Sequence, residues 1–158
     1  PEAYLRRIAP DVNRFNGFSL LVAQNNELWF LSNRGQAQFR VSPGIHGLSN
    51  HLLDEPWPKV TRGVAQLTRL GVQPFDEENY FRLLADETEA PDAELPKTGV
   101  SLERERRSSA IRIRDAVYGT RCSTVLRIGA DGEVSFFERS FDAEGTVSGT
   151  VRHAFTVS

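Results

Sequence analysis

The sequence contains no methionine and only one cysteine, Cys122, among its 158 residues. A single cysteine cannot close a disulfide within the chain, and no group of cysteines and histidines has the spacing of a zinc site. Chains without disulfides are typical of reducing compartments, so we expect a cytoplasmic protein. We also expect that it needs no metal or cofactor. Because the chain starts at Pro1 without an initiator methionine, we also expect a trimmed or partial product.

Long hydrophobic runs and a large charge excess are missing as well. No run approaches the roughly 18 to 20 apolar residues of a membrane-spanning helix, and no charged-then-apolar secretory leader opens the chain. Lysine and arginine number 19 against 21 acidic residues, and this net charge of −2 lacks the basic excess of a nucleic-acid-binding protein. We therefore predict one soluble domain over residues 1–158, with neither a membrane span nor nucleic acid as a partner.

Charge is nevertheless unevenly distributed in the second half of the chain. Residues 76–94 contain eight acidic side chains and only Arg82 as a base, whereas residues 104–114 contain five arginines and only Glu105 as an acid. One interpretation is two solvated faces, the usual role of charge blocks. The other is an anion site near the arginines.

Turn and strand signals occupy both ends of the chain. Apolar and aromatic segments at 15–22 and 28–31 flank Asn25 and Asn26, and asparagine tolerates the positive φ of a hairpin turn, so we predict a β-hairpin. Further strands are predicted near 110–113, 124–128, 134–137 and 151–157, with hairpin turns at 131–132 and 144–145, and a short strand or strand-like approach at 45–49.

Helix signals lie between these strands. Residues 58–70 repeat apolar side chains on one helical face, and a second helix starts at Asp76, with Phe75 able to pack on Tyr80. Its inward stripe is predicted to be Tyr80, Leu83 and Leu84. Residues 88–101 hold prolines and acids and predict a mobile surface loop. Strands, then helices, then strands predict an α+β layered domain.

The common cofactor and hydrolase fingerprints are absent from the sequence. There is no P-loop, no glycine-rich dinucleotide turn, no H-E-x-x-H and no G-x-S-x-G. Three polar clusters stand in apolar surroundings instead, at residues 32–34, 46–51 and 118–124. Small polar residues at strand ends can line a site, so the candidate functional residues come from these clusters.

Asn50 and Arg121 are the candidate catalytic residues. The Asn50 amide could donate to a developing oxyanion, or it could cap the turn that follows it. Arg121 could hold a carboxylate or lower the pKa of a nearby thiol, or it could be a surface arginine at a strand end. Residue type alone favours the structural role for both.

The candidate ligand-binding residues are Asn33, His46, His51 and Trp57. The two histidines could ligate haem iron or another metal, although five residues apart in a loop is not a specific spacing. Cys122 beside Arg121 could be a thiolate nucleophile with a histidine as base, but a lone cysteine in a strand is more often a small buried residue.

Four stretches of the sequence resemble the NRDE family, also called the Transport and Golgi organisation 2 family. They are FNGFSLLVA at 15–23, LWFLSNR at 28–34, GIHGLSNHLLDEPWPKV at 44–60 and YGTRCSTVLRI at 118–128. The third and fourth are long and specific. The resemblance spans most of the chain, weakens over 72–110, and corresponds to the C-terminal two-thirds of a family member.

The resemblance implies a fold similar to the N-terminal nucleophile (Ntn) hydrolases, an α/β/β/α sandwich, here without its N-terminal part. In the branch that includes bile-salt hydrolases and penicillin V acylases, a mature N-terminal cysteine attacks an amide carbonyl while its own α-amino group serves as base. An amine pKa of about 7.7 to 8 makes this transfer feasible at neutral pH. By motif position, Asn50 and Arg121 are the supporting asparagine and arginine of that site.

The chain also departs from the family pattern. The N-terminal cysteine and the Asn-Arg-Asp-Glu motif are not present, and Pro1 cannot replace the nucleophile, so this chain alone is not expected to catalyse the reaction. Cys122 stands where the family usually shows serine, which indicates a structural, serine-like role.

Two functional hypotheses follow from the resemblance. In the first, the intact protein is an Ntn-type amidohydrolase that cleaves a non-peptide C–N bond in a small-molecule amide. In the second, it is a non-enzymatic binding or trafficking protein for a hydrophobic ligand such as haem, since eukaryotic relatives are associated with Golgi organisation and with moving haem. Under either, we expect the missing N-terminal part or a second copy of the chain to cover an unpaired sheet edge or hydrophobic face.

Overall fold

A computed structural model describes residues 1–24, 26–35, 37–115 and 117–157. Contacts within the chain divide it into two compact units, Pro1–Pro56 and Trp57–Ser158. Each unit contains helices and one antiparallel sheet, which confirms the predicted α+β class. In the described part of the chain, no helix is both long enough and apolar enough to cross a membrane.

The first unit is a three-stranded sheet preceded by helical turns. Its elements are helix α1 (Glu2–Ile8), a 3₁₀ helix (Ala9–Arg14), and strands β1 (Ser19–Gln24), β2 (Glu27–Ser32) and β3 (Ala37–Arg40), in the sheet order β1-β2-β3. The predicted hairpin is confirmed as β1-β2, with Asn26 at a φ of 62° in the turn, while Asn25 lies outside the described residues. Strand β3 was not predicted.

The core of the first unit centres on the middle strand, β2. Phe30 and Leu5 are fully buried, and so is the polar Ser32. The Ser32 hydroxyl donates to the Phe18 carbonyl at 2.9 Å and accepts from the Arg34 backbone N–H at 3.2 Å. These bonds satisfy the buried hydroxyl, since a polar group in the core is stable only when it is paired. They also fix the backbone on both sides of β2.

The second unit contains the longer helices and a second three-stranded sheet. Its elements are α2 (Pro58–Leu70), α3 (Glu77–Leu84), a 3₁₀ helix (Asp92–Glu94), α4 (Leu102–Ser108), β4 (Cys122–Ile128), β5 (Glu133–Phe141) and β6 (Val147–Thr156), in the sheet order β4-β5-β6. Both predicted helices and the final three-stranded meander are confirmed. Gly132 and Gly145 occupy its two turns with φ of 81° and 77°, a conformation that glycine adopts without strain.

Helix α3 packs on one face of the second sheet. Asp76 caps it by accepting the Glu78 N–H at 3.1 Å, and the rings of Phe75 and Tyr80 pack 5.2 Å apart, as predicted. Tyr80, Leu83 and Leu84 of the predicted stripe are half-buried, and Phe81, with the Arg139 guanidinium of β5 4.0 Å over its ring, is the buried residue of the helix. Contacts with the sheet therefore set the helix rotation.

The opposite face of the second sheet is apolar and exposed. Leu126 and Ile128 of β4 are 58% and 62% exposed, and Val151 and Phe155 of β6 are also exposed. The strand register places these side chains around Phe136 on one face. Such a face is unusual in a layered protein, because sheets normally bury their apolar side.

The acidic and basic segments of the second unit pair with each other. Arg106 contacts Asp92 at 2.6 Å and Arg112 contacts Glu87 at 3.4 Å, while Arg107 pairs with Glu103 and Asp115, which lie outside the acidic segment. The hydrogen bonds from Arg106 lower the pKa of Asp92 below its ordinary value. An anion site near these arginines, one of the two interpretations of the sequence, therefore gains no support.

Several further segments differ from the sequence expectations. Residues 110–113 form bends rather than a strand, since Arg112 N–H bonds to the Asp86 carbonyl and not to a ladder. Residues 45–49 contribute only the isolated bridge between Leu48 and Leu53. Helices α1 and α4 were not predicted. The 88–101 loop is tied down, because Thr98 donates twice to Glu105 of α4.

Candidate functional site

Asn50 lies at the tip of a closed loop in the first unit, residues 46–54, which we call the Asn50 loop. The Asp54 N–H donates to the Gly47 carbonyl at 2.8 Å, and the Leu48–Leu53 bridge lies inside this bond. Asp54 has a φ of 61°, a left-handed conformation that aspartate tolerates better than most residues. The loop is thus a narrow, hairpin-like projection whose ends are held together.

His46 closes the base of the Asn50 loop through both ring nitrogens. Its Nδ1 is 2.6 Å from Asp54 Oδ2, and its Nε2 is 2.9 Å from the Ser42 carbonyl. Both partners are acceptors, so both nitrogens donate only when the ring is an imidazolium. The hydrogen bonds to Asp54 and then Ser42 accordingly raise the pKa of His46 above its ordinary value. A ring in this state has no lone pair to offer a metal.

The Asp54 carboxylate serves both sides of the loop base. Its Oδ2 faces His46, and its Oδ1 accepts the Gly47 N–H at 2.9 Å. Partial burial pushes the pKa of Asp54 up, but the hydrogen bonds from His46 and Gly47 outweigh it, so the pKa lies below its ordinary value. Sequence analysis missed this residue, because only the loop register brings it to His46.

The other polar residues of the loop differ in their surroundings. Asn50 is exposed, and its side-chain amide makes no hydrogen bond within the described residues. His51 is half-buried, with its ring 3.7 Å from Glu55 and its carbonyl accepting the Ser19 hydroxyl at 3.2 Å. Ser19 thereby ties the loop to β1, so the tip that carries Asn50 is fixed at two places.

Asn33, a predicted ligand-binding residue, makes hydrogen bonds to backbone groups in the first unit. Its Oδ1 accepts the Phe18 N–H at 2.8 Å, and its Nδ2 donates to the carbonyls of Val12 at 2.9 Å and of Phe15 and Asn16 at 3.2 Å each. The whole amide is therefore engaged with the segment that leads into β1. In the structure, Asn33 contributes to the scaffold of the first unit.

Replacing Asn33 by alanine is expected to destabilise the chain by about 2 kcal/mol, because partly buried backbone groups lose their partners. Urea denaturation measures the change. Asn33→Asp keeps the acceptor for Phe18 but turns a carboxylate oxygen towards the carbonyls that the amide donates to, so it should destabilise the chain at least as much as alanine. The exposed Asn13 provides the control, and Asn13→Ala should stay within about 0.5 kcal/mol of the native protein. Equal effects in the two alanine variants would contradict the scaffold role.

Arg121 is positioned by a tight turn in the second unit. The Thr120 N–H donates to the Ile113 carbonyl at 2.8 Å, and the Thr120 hydroxyl accepts the Ile113 N–H at 2.9 Å. A Cβ on Gly119 would lie 3.3 Å from the carbonyl oxygens of Ile113 and Asp115, so a larger residue would crowd the turn. The tight turn therefore explains the glycine at 119 and the threonine at 120.

The Arg121 side chain is exposed at the start of β4. Its carbonyl accepts the Phe141 N–H at 2.9 Å, which extends the β4-β5 pairing by one residue. Its guanidinium makes no hydrogen bond or ion pair within the described residues. Cys122, the next residue, is exposed and pairs across the sheet with Ser140, so the sequence expectation that it is buried is wrong.

Two further candidates, and one residue not predicted from the sequence, belong to the second unit. Trp57 is half-buried immediately before α2 in the second unit, and His153 is exposed in β6. Lys59, which sequence analysis did not single out, donates to the Ser108 carbonyl at 2.8 Å, and burial lowers its pKa. No group of three or more metal-ligating side chains occurs in the described ranges. Asn50 belongs to the first unit and Arg121 to the second.

Comparison with known proteins places these segments in a family context. The family model described as Transport and Golgi organisation 2 matches residues 1–143. The "Transport and Golgi organization protein 2 homolog" of Bos taurus is 32% identical to the chain, and the alignment covers 97% of the chain and 61% of that relative. The homologs of Mus musculus and Homo sapiens are 29% and 30% identical, with 87% of the chain and 55% of each relative covered. The chain thus spans little more than half the length of the curated relatives it matches.

Proposed function

Because the chain belongs to the Transport and Golgi organisation 2 family, the family predicted from its motifs, we propose that the intact protein is an Ntn-type amidohydrolase acting on a non-peptide C–N bond. The proposal extends to the fold, an α/β/β/α sandwich. The layering of the second unit supports it, since α3 covers one face of the sheet and the opposite face is apolar. Sandwiches are built from sheets of this kind.

The observation that carries the proposal is a difference among the polar candidates. Asn33 and His46 use their polar atoms to hold backbone, whereas Asn50 and Arg121 present exposed groups without a hydrogen bond in the described residues. Both exposed groups sit on segments that other residues hold in place. A polar group that is held in place but unpaired is suited to bind a substrate or a developing charge.

The proposed chemistry assigns one role to each residue. The thiolate of a mature N-terminal cysteine, upstream of this chain, attacks the amide carbonyl after passing its proton to its own α-amino group. The Asn50 amide N–H donates to the carbonyl oxygen as it gains negative charge. Arg121 stabilises the thiolate. The C–N bond breaks, the amine leaves with the transferred proton, and water hydrolyses the thioester to release the acid.

Carriage of a hydrophobic ligand such as haem, the second hypothesis, is favoured less by the geometry. Iron ligation requires a neutral imidazole nitrogen with an available lone pair. His46 would have to lose its proton and give up its bond to Asp54 or Ser42 to provide one. The amidohydrolase proposal needs no such rearrangement.

Thiol labelling of the full gene product tests the proposal. Cys122 is exposed and would also react, so the experiment uses a Cys122→Ser background. An amide-mimic electrophile should label the mature N-terminal cysteine, and Arg121→Ala should slow labelling at least tenfold because the thiolate loses a charge partner. Arg104→Ala, which removes another exposed arginine from the same unit, should leave the rate unchanged. Mass spectrometry of the labelled protein gives both the site and the rate.

Two outcomes would reject the proposal. The first is a mature protein whose N-terminus is blocked or is not cysteine, since the nucleophile and its base would then be missing. The second is labelling at the same rate in the Arg121→Ala and Arg104→Ala variants. Either result would favour the ligand-carriage hypothesis.

A further inference from the structure

A charged pair lies at the base of the Asn50 loop beside the backbone bond that closes it, and this pair has the geometry of a clamp. His46 enters at one end of the loop and Asp54 leaves at the other, with their side chains 2.6 Å apart. The Asp54 carboxylate also accepts the Gly47 N–H, and the His46 ring also donates to the Ser42 carbonyl. The Gly47 N–H and the Ser42 carbonyl therefore meet the two side chains at one imidazolium–carboxylate contact.

Backbone bonds and one side-chain bond also hold the loop. The Asp54–Gly47 bond and the Leu48–Leu53 bridge lie at its base, the Glu55 N–H donates to the Leu52 carbonyl at 3.3 Å, and the Ser19 hydroxyl makes a contact from β1. Short segments with few hydrogen bonds open locally at low free energy. The His46–Asp54 contact is the ion pair among the contacts that close the base of the loop.

The clamp has one charged neighbour in the same segment. This neighbour is Glu55, which follows Asp54. Its carboxylate lies 3.7 Å from the ring of His51. In the described residues, Asp54 is the charged group that contacts His46, and the Ser42 carbonyl is its second partner. The charge of the ring is therefore balanced by one carboxylate.

We propose that His46 and Asp54 are positioning residues for Asn50: the protonated ring holds the loop closed, and loss of that proton lets the loop open. Since it concerns the reach of Asn50 to its substrate, the proposal rests on the amidohydrolase function proposed above. Neither side chain touches the substrate. Both act through the loop, and they make the presentation of Asn50 dependent on pH.

The direction of the pH dependence follows from the two shifted groups. The pKa of His46 is raised, so its contribution is complete below about pH 6.5 and is lost as the pH rises through the folded value. The pKa of Asp54 is lowered, so its contribution is complete above about pH 3.9 and is lost as the pH falls through the folded value. The loop is most firmly closed between these limits.

Nuclear magnetic resonance of the isotope-labelled full gene product measures the loop directly. We expect the His46 ring nitrogens to titrate above about pH 6.5, and the exchange protection of amides 47–53 to fall with the same midpoint after correction for intrinsic exchange. If the pKa of His46 differs by one unit between the closed and the open loop, protonation changes the equilibrium for loop closing about tenfold. Protection that does not change between about pH 5 and pH 9 would overturn the clamp.

Variants distinguish a clamp from a merely structural loop. Asp54→Asn keeps the acceptor for Gly47 but removes the charge, so the midpoint should move down towards about pH 6.5. His46→Gln keeps an N–H donor that does not titrate, so protection should become independent of pH. His153→Gln removes an exposed histidine from β6 and should leave the transition unchanged. A purely structural role would lower protection in Asp54→Asn without moving the midpoint, and would leave the dependence on pH in place in His46→Gln.

Labelling of the N-terminal cysteine separates this proposal from the one it rests on. The rate of labelling in the native protein is divided by the rate in His46→Gln, because the titration of the nucleophile affects both rates equally. This ratio should fall as the pH rises through the His46 midpoint. A constant ratio, with labelling still dependent on Asn50, would overturn the positioning role and leave the amidohydrolase function intact. Labelling that is independent of Asn50 would overturn the proposed function itself, whatever the loop amides show.

Discussion

Replacing Asn50 by alanine in the full gene product is expected to slow labelling of the mature N-terminal cysteine by an amide mimic at least about a hundredfold. This is the usual effect of removing one donor that stabilises a developing oxyanion. The side chain is exposed and makes no bond within the described residues, so its removal leaves no buried group unpaired. The Asn50 loop keeps its own closure through His46 and Asp54.

The stability of the same variant provides the decisive control. Asn50→Ala should change the free energy of unfolding by less than about 0.5 kcal/mol, as surface substitutions do. Asn50→Asp keeps the size of the side chain but replaces the donor with an acceptor, so it should be as slow as alanine. Fast labelling in Asn50→Asp would contradict the oxyanion role, and a destabilised Asn50→Ala would assign the residue to the scaffold.

Replacing Phe30 by alanine is expected to lower the free energy of unfolding by about 3–5 kcal/mol, the range for a buried aromatic in a core. Phe30 is 0% exposed in the central strand of the first sheet, and its ring lies 5.3 Å from that of Phe39. A loss of this size is a large fraction of the total stability of a domain, which is about 5–15 kcal/mol. The variant is therefore expected to unfold the first unit at low denaturant.

Phe39 is a matched control for this substitution. It belongs to the same ring pair and lies opposite Phe30 in the register of β2 and β3, but it is 42% exposed. Phe39→Ala should therefore cost no more than about 2 kcal/mol. Urea denaturation followed through Trp29, the neighbour of Phe30 in β2, measures both variants. Similar losses of unfolding free energy in the two variants would contradict the difference in burial between Phe30 and Phe39.

The elements that sequence patterns predicted are those whose signals are local. The β1-β2 hairpin depends on a turn residue that tolerates positive φ, and α3 depends on the cap and staple of Asp76 and Phe75. The two glycine turns of the last three strands are of the same kind. Each signal lies within a few residues of the element it defines, so no distant contact is needed to interpret it.

The elements that were missed depend on contacts distant in sequence. Helix α4 has no apolar stripe, and its one buried residue is Glu105, which accepts from Thr98. Charged residues without an apolar period look like a solvated segment, so the pattern concealed the helix. Residues 110–113 have β-branched residues at alternate positions, but their backbone bonds go to Asp86 and Thr120 rather than to a strand.

The candidate site residues also divide into those that a sequence motif marks and those whose role depends on the fold. Motif resemblance made Asn50 and Arg121 the candidates, because both stand in long and specific stretches of the sequence. It did not separate them from Asn33 and His46, whose hydrogen bonds become evident only in the folded loop. Asp54 was missed because its role depends on the register that brings residues 46 and 54 together. Residue type suggests chemistry, but the fold decides which polar atoms are already paired.

The pairing of the acidic and basic segments of the second unit also bears on how such chains can be recombined. Asp92 and Glu87 come from one segment, and their partners Arg106 and Arg112 come from another. A chimaera that takes only one of the two segments from a relative would bring together charges that were not matched to each other. Substitutions in contacting pairs are not additive. The two segments are therefore best exchanged as one block, and their sequences are expected to change in concert as the family diverges.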